Sequence, residues 1–84
     1  MAKIEIYTTN YCPYCKRAKL LLTELVQDFD EIDITDDEDN LIDELYERTG
    51  RSTVPQIFIN DKFIGGSDDL FELRRSGELA ELLK

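Results

Sequence analysis

Eighty-four residues with 42% hydrophobic side chains can bury one small core and leave no room for a second, so residues 1–84 read as a single domain. Nineteen acids against ten bases give a net charge of −9, which repels phosphate backbones and excludes nucleic acid as a partner. No apolar run approaches the roughly 20 residues of a membrane span, and Met1-Ala2-Lys3-Ile4-Glu5 enters a strand pattern at once without a leader-like stretch, so no membrane contact and a cytoplasmic location are expected.

In Lys3–Thr8, Ile4, Ile6 and Thr8 alternate with Glu5 and Tyr7, the period of a half-buried strand. Cys12-Pro13-Tyr14-Cys15 follows and holds the only two cysteines of the chain. Ala18, Leu21, Leu22, Leu25, Val26 and Phe29 then recur at three- and four-residue spacing, which predicts an amphipathic helix with Pro13 at its first position. Asp30–Ile34 alternates again and predicts a second strand, and Thr35–Asn40 reads as an acidic loop. Leu41, Ile42, Leu45 and Tyr46 mark a second helix that stops at Gly50.

Pro55–Ile59, Asn60-Asp61 and Lys62–Ile64 predict a hairpin with a two-residue turn, broken off by Gly65-Gly66. Ser67 is placed to cap a third helix, with Asp68 and Asp69 in its first turn and Leu70, Phe71 and Leu73 on its core face. Gly77 interrupts it, and Leu79, Leu82 and Leu83 close the chain in a short last helix. The order β-α-β-α-β-β-α-α implies an α/β fold, a mixed four-stranded sheet with helices on both faces.

The cysteine pair therefore sits where a strand gives way to a helix. There, unpaired amides and the positive end of the helix dipole favour thiolate over thiol. Cys12 is expected to be the nucleophile, its pKa lowered from ~8.5 into a range of ~3.5–7.5, with Lys16 and Arg17 adding little. Cys15, one turn later on the same helix face, is expected to be more buried and to resolve a mixed disulfide formed on Cys12. This is the chemistry of a thiol–disulfide oxidoreductase. Structural zinc wants four N or S ligands, and the chain has two cysteines and no histidine, so no metal site is expected. Asp33, Thr35, Asp37, Asp39 and Glu44 mimic part of a calcium loop, but Glu38 stands where glycine is required. Eleven of the acids lie between Asp28 and Glu47.

With strand, Cys-Pro-Tyr-Cys and helix in place, the chain resembles the dithiol glutaredoxins of the thioredoxin-like superfamily. The segments that carry the resemblance are Ile6–Thr8, Cys12–Cys15, Thr49-Gly50, Thr53–Ile59 and Gly65–Asp69, in register over nearly the whole length. It implies glutathione as co-substrate, no permanently bound cofactor, and reduction of glutathionylated or disulfide-containing proteins, an oxidised ribonucleotide reductase among them. It also implies a cis peptide before Pro55, which would present the Val54 backbone to a peptide thiol beside Cys12. The corner at Gly66, Ser67, Asp68 and Asp69 would take the γ-glutamyl end, with Tyr14 flanking the tripeptide.

Two departures weaken that picture. Thr9 and Ile42 stand where many members carry donors for glutathione carboxylates, and Arg51, near Thr53, is the expected substitute. The alternatives are a hydrogen donor recharged by thioredoxin reductase, and an iron–sulfur carrier or redox sensor. A monomer is expected.

Overall fold

The alternation at the start of the chain forms the strand it predicts. β1 (Ile4–Thr8) buries Ile4, Ile6 and Thr8 and leaves Glu5 and Tyr7 half-buried. The computed structural model describes residues 3–25 and 28–83. β1 is central: it pairs in parallel with β2 (Asp30–Asp33) and antiparallel with β3 (Gln56–Ile59), which pairs antiparallel with β4 (Lys62–Gly65). The sheet order is β2-β1-β3-β4. Every residue of β3 is buried, as befits an inner strand covered on both faces. Its turn into β4 uses Asn60 and Asp61, both at positive φ (53° and 66°), which matches the twist of the flanking strands.

Among the described residues, four helices cover the sheet: α1 (Pro13–Leu25), α2 (Glu38–Thr49), α3 (Ser67–Ser76) and α4 (Glu78–Leu82). On one face, Ile4, Ile6, Ile57 and Ile59 pack with Ala18, Leu21 and Leu22 of α1, Leu70 of α3 and Leu79 of α4. On the other, Phe58 joins Ile34 and Leu45 of α2, with Tyr7, Ile32 and Ile42 around them. Arg48 of α2 lies over the Phe58 ring, 4.5 Å from its centroid. The architecture is the thioredoxin-like sheet with helices on both faces.

Four details differ from the sequence expectation. Leu25 ends α1 with 40% of its surface exposed, and Phe29 packs on the core from the segment leading into β2 rather than from the helix; Val26 lies outside the described residues. The expected acidic loop is a 3-10 turn (Thr35–Asp37) running straight into α2. The Asp33 carboxylate accepts the Thr35 amide and hydroxyl, starting that turn, and Glu38 and Asp39 sit where a helix dipole favours negative charge. Asp39 and Glu44 thereby belong to a helix and not to a calcium-type loop. Ser67 is not the cap of α3: Gly66 is, its N–H donating to Asp69 Oδ2 at 2.9 Å, and Ser67 is the first helical residue.

Candidate active site

Cys12 stands one residue before α1, where the helix begins with unpaired amides. Its carbonyl accepts the Lys16 N–H, the first bond of the helix, while its sulfur accepts the Cys15 N–H at 3.2 Å. A backbone donor aimed at sulfur stabilises negative charge there. On its other side the Cys12 thiol lies 3.7 Å from the Val54 carbonyl oxygen, which accepts a hydrogen bond from it. Both cysteines are free thiols, and they differ in access: Cys12 is 7% exposed and Cys15 1%. Burial, together with the Cys12 sulfur beside it, pushes the Cys15 thiol up to about 12. It is therefore a protonated thiol at neutral pH. Arg17 does not lean over the sulfurs; its guanidinium sits 5.2 Å from the centre of the Phe71 ring on α3.

The peptide between Val54 and Pro55 is cis, as the resemblance implied. Beside it opens a cleft of about 300 Å³. Tyr14, Arg51, Thr53, Val54 and Pro55 line one part of it, and Gly66, Ser67, Asp68 and Asp69 complete it. All nine residues singled out in the sequence for ligand contact thus border one cavity. A Cβ at Gly66 would come within 3.3 Å of the Pro55 carbonyl oxygen, so glycine is what lets the two walls approach. Arg51 Nη1 is 2.7 Å from Asp69 Oδ2, the oxygen that also accepts Gly66 N–H. The guanidinium and then that amide hold the Asp69 carboxyl below the usual range. The Ser67 hydroxyl is buried and has no hydrogen-bond partner among the described residues.

Thr9 is buried beside the thiols, and Ile42 packs against the Phe58 cluster, so neither supplies a charged donor to the cleft. Three sets of contacts that support the site escaped the sequence reading. Gln56, 1% exposed, donates to the carbonyls of Arg51 and Thr53 at 2.8 and 3.0 Å and fixes the loop before Pro55. Its signal was a polar side chain inside an apolar strand, which must find partners when buried. Asn10 N–H donates to Thr35 Oγ1, and the Tyr11 hydroxyl donates to the Glu38 carboxylate, tying the cysteine loop to the start of α2. Lys19 and Thr8 both donate to Glu31 Oε2. No local pattern links residues that far apart in the chain.

The family model for glutaredoxin matches residues 4–64. The chain belongs to the glutaredoxin family. It is 50% identical over 84 residues to glutaredoxin 3 of Escherichia coli strain K12, covering the whole of both chains. It is 48% identical over 83 residues to a glutaredoxin of Pseudomonas aeruginosa, covering 99% of this chain and 98% of the other. Among solved structures, the buckwheat glutaredoxin–glutathione complex superposes with a TM-score of 0.90 at 35% identity, covering 98% of this chain and 76% of that one. The holo form of glutaredoxin C1 from Populus tremula x tremuloides gives 0.89 at 36% identity, over 95% and 81%. Like its family, this glutaredoxin is a thiol–disulfide oxidoreductase. Its geometry suits the work: a sulfur at the helix start with an amide aimed at it, and a second, buried thiol one turn behind.

Proposed function

We propose that this glutaredoxin uses glutathione as co-substrate to reduce glutathionylated proteins, small mixed disulfides and protein disulfides, as a cytoplasmic monomer with no permanently bound cofactor. The observation that carries the reading is the position of the Cys12 sulfur, 3.7 Å from the Val54 carbonyl at the edge of a cleft that ends at the start of α3. Cys12 attacks the glutathione sulfur of a mixed disulfide, and the S–S bond to the substrate breaks. The substrate leaves as a thiol after taking up a proton. A second glutathione thiolate then attacks the sulfur bound to Cys12, giving oxidised glutathione and restoring the Cys12 thiolate. With a protein disulfide, Cys15 attacks the mixed disulfide on Cys12 and releases the substrate dithiol. Holding the sulfurs in line supplies much of the acceleration.

The bound tripeptide pairs with the Val54 backbone as an added strand, with Tyr14 flanking it. Its γ-glutamyl carboxylate meets the amides and the Ser67 hydroxyl at the start of α3. Asp69 is engaged by Arg51, so Asp68 is the carboxylate that faces the ammonium. The remaining N–H groups of Arg51 serve the glycine carboxylate, replacing the donors absent at Thr9 and Ile42.

The test is turnover of a glutathione mixed disulfide with glutathione and its reductase. Sustained NADPH oxidation is expected. The Cys15→Ser protein should retain this activity and lose reduction of protein disulfides. No turnover with glutathione, together with activity using thioredoxin reductase, would overturn the reading.

A further inference from the structure

Cys15 must itself become a nucleophile in the two-thiol reaction, yet almost none of its surface meets water. Lys19 follows it by one turn on the same face of α1. The Lys19 ammonium is held 2.8 Å from Glu31 Oε2, and the same oxygen accepts the Thr8 hydroxyl at 2.7 Å. Thr8 is fully buried at the end of β1, and the carbonyl of the next residue, Thr9, accepts the Cys12 N–H at 3.5 Å, which sets the end of this strand against the cysteine loop. The parallel pairing of β1 with β2 brings Glu31 to this place, opposite Ile6. A flexible lysine is thus fixed at both ends, by its helix and by a carboxylate that a buried hydroxyl holds still.

Resting on the dithiol reading above, we propose that Lys19, fixed by Glu31 and Thr8, is a positioning residue that stabilises the Cys15 thiolate as it attacks the mixed disulfide on Cys12. In that step the Cys15 sulfur bonds to the Cys12 sulfur and the bond from Cys12 to the substrate sulfur breaks. The leaving thiolate takes up the proton that Cys15 gives to water. The substrate is reduced, and the cysteine pair is oxidised to a disulfide. Lys19 never touches the reacting bonds. It lowers the cost of charge on a buried sulfur, where a cation acts through less screening than at an open surface.

The groups that face Cys15 are consistent with this. Burial and then Cys12 raise its titration; the Thr9 backbone lowers it, and among the described residues Lys19 is the one cation that adds to that lowering. Lys16 and Arg17, on the same helix, are exposed, and Arg17 lies over Phe71. From α3, which packs on α1, Asp68 and Asp69 line the cleft, and Asp69 is neutralised by Arg51. Glu31 offsets part of the Lys19 charge, so the two residues have opposite effects on Cys15.

Opposite signs make the experiment. In the Cys12→Ser protein the raising effect of Cys12 is gone while burial remains, and at a fixed pH below the Cys15 titration its alkylation rate follows its thiolate fraction. Lys19→Met should slow it by roughly three- to tenfold, and Lys19→Arg should leave it close to the parent rate. Glu31→Gln keeps an amide oxygen to accept Lys19 and Thr8 but removes the negative charge, so it should speed the reaction by a similar factor. An unchanged rate in Lys19→Met, or slowing by both Lys19→Met and Glu31→Gln, would overturn the proposal. Lys19 and Glu31 are both partly exposed, and melting curves of each variant check the fold. Alkylation requires no glutathione, so this outcome is independent of whether glutathione is the reductant.

Discussion

Two sulfurs one helical turn apart have unequal tasks because they have unequal surroundings. Cys12 is at the rim of a cleft with an amide aimed at it, whereas Cys15 is enclosed and titrates only at about 12. At pH 8, a small excess of alkylating agent should therefore leave a single adduct, on Cys12. Equal labelling of both cysteines by mass spectrometry would contradict the assignment. The raised Cys15 titration also has a stability consequence. Unfolding restores an ordinary thiol that ionises near ~8.5, so between that pH and about 12 the folded state holds the extra proton. Stability from this group is complete below ~8.5 and lost as pH rises toward 12. Arg51 is the other residue with a measurable signature. Arg51→Ala should weaken the apparent affinity for glutathione severalfold and let the Asp69 carboxyl titrate nearer its usual value by NMR. If affinity is unchanged, Arg51 is not the donor for the glycine carboxylate.

Among the elements, the start of α3 has the least freedom. Gly65 has φ of 131°, and a Cβ there would fall within 2.6 Å of Asp69 Cβ, Cγ and Oδ2. Gly65→Ala should push Asp69 off the Gly66 amide, costing about 1–3 kcal/mol in urea unfolding and weakening glutathione binding. At Gly77 (φ 87°) no atom lies within 4 Å of such a Cβ, so Gly77→Ala should cost about 1–2 kcal/mol from backbone strain alone and leave binding intact. Elements whose signal is periodic were legible in the sequence: β1 from its alternation, α1 from its stripe, and the hairpin from Asn60-Asp61 between two apolar runs. The start of α2 was not, because acids that read as solvated loop are also the residues a helix N-terminus favours. The cap of α3 was misplaced by one residue for a related reason. Ser67 is a good cap by type, but Asp69 reaches back to Gly66 and sets the start there. The cysteines and the nine cleft residues could be named from motifs, whereas Gln56 and the Lys19–Glu31–Thr8 cluster needed the strand pairing that brings distant residues together.

At the scale of the molecule, the sheet separates two tasks. The face carrying α1 and α3 bears the thiols and the end of the cleft, while α2 and much of the acidic stretch from Asp28 to Glu47 cover the other. Glu31, Asp33 and Asp69 are all held below the ordinary carboxylate range: Glu31 by Lys19 and then Thr8, Asp33 by Thr35, and Asp69 by Arg51 and then Gly66. Unfolding returns these groups to a pKa near ~4, so each contributes stability above that pH and loses it as pH falls through its lower folded value. The urea midpoint should accordingly drop between about pH 5 and pH 2, and Arg51→Ala should flatten part of that drop. At neutral pH the surplus of negative charge works in the opposite direction, and added salt should raise the melting temperature by screening it.

The cleft is assembled from three distant stretches: Tyr14 in the first turn of α1, two residues after Cys12, then Arg51–Pro55 ahead of β3, and Gly66–Asp69 at the start of α3. During synthesis the reactive pair leaves the ribosome some fifty residues before the corner that selects its partner. A nascent chain stalled short of Gly66 therefore carries both sulfurs with no means of choosing what they bond to.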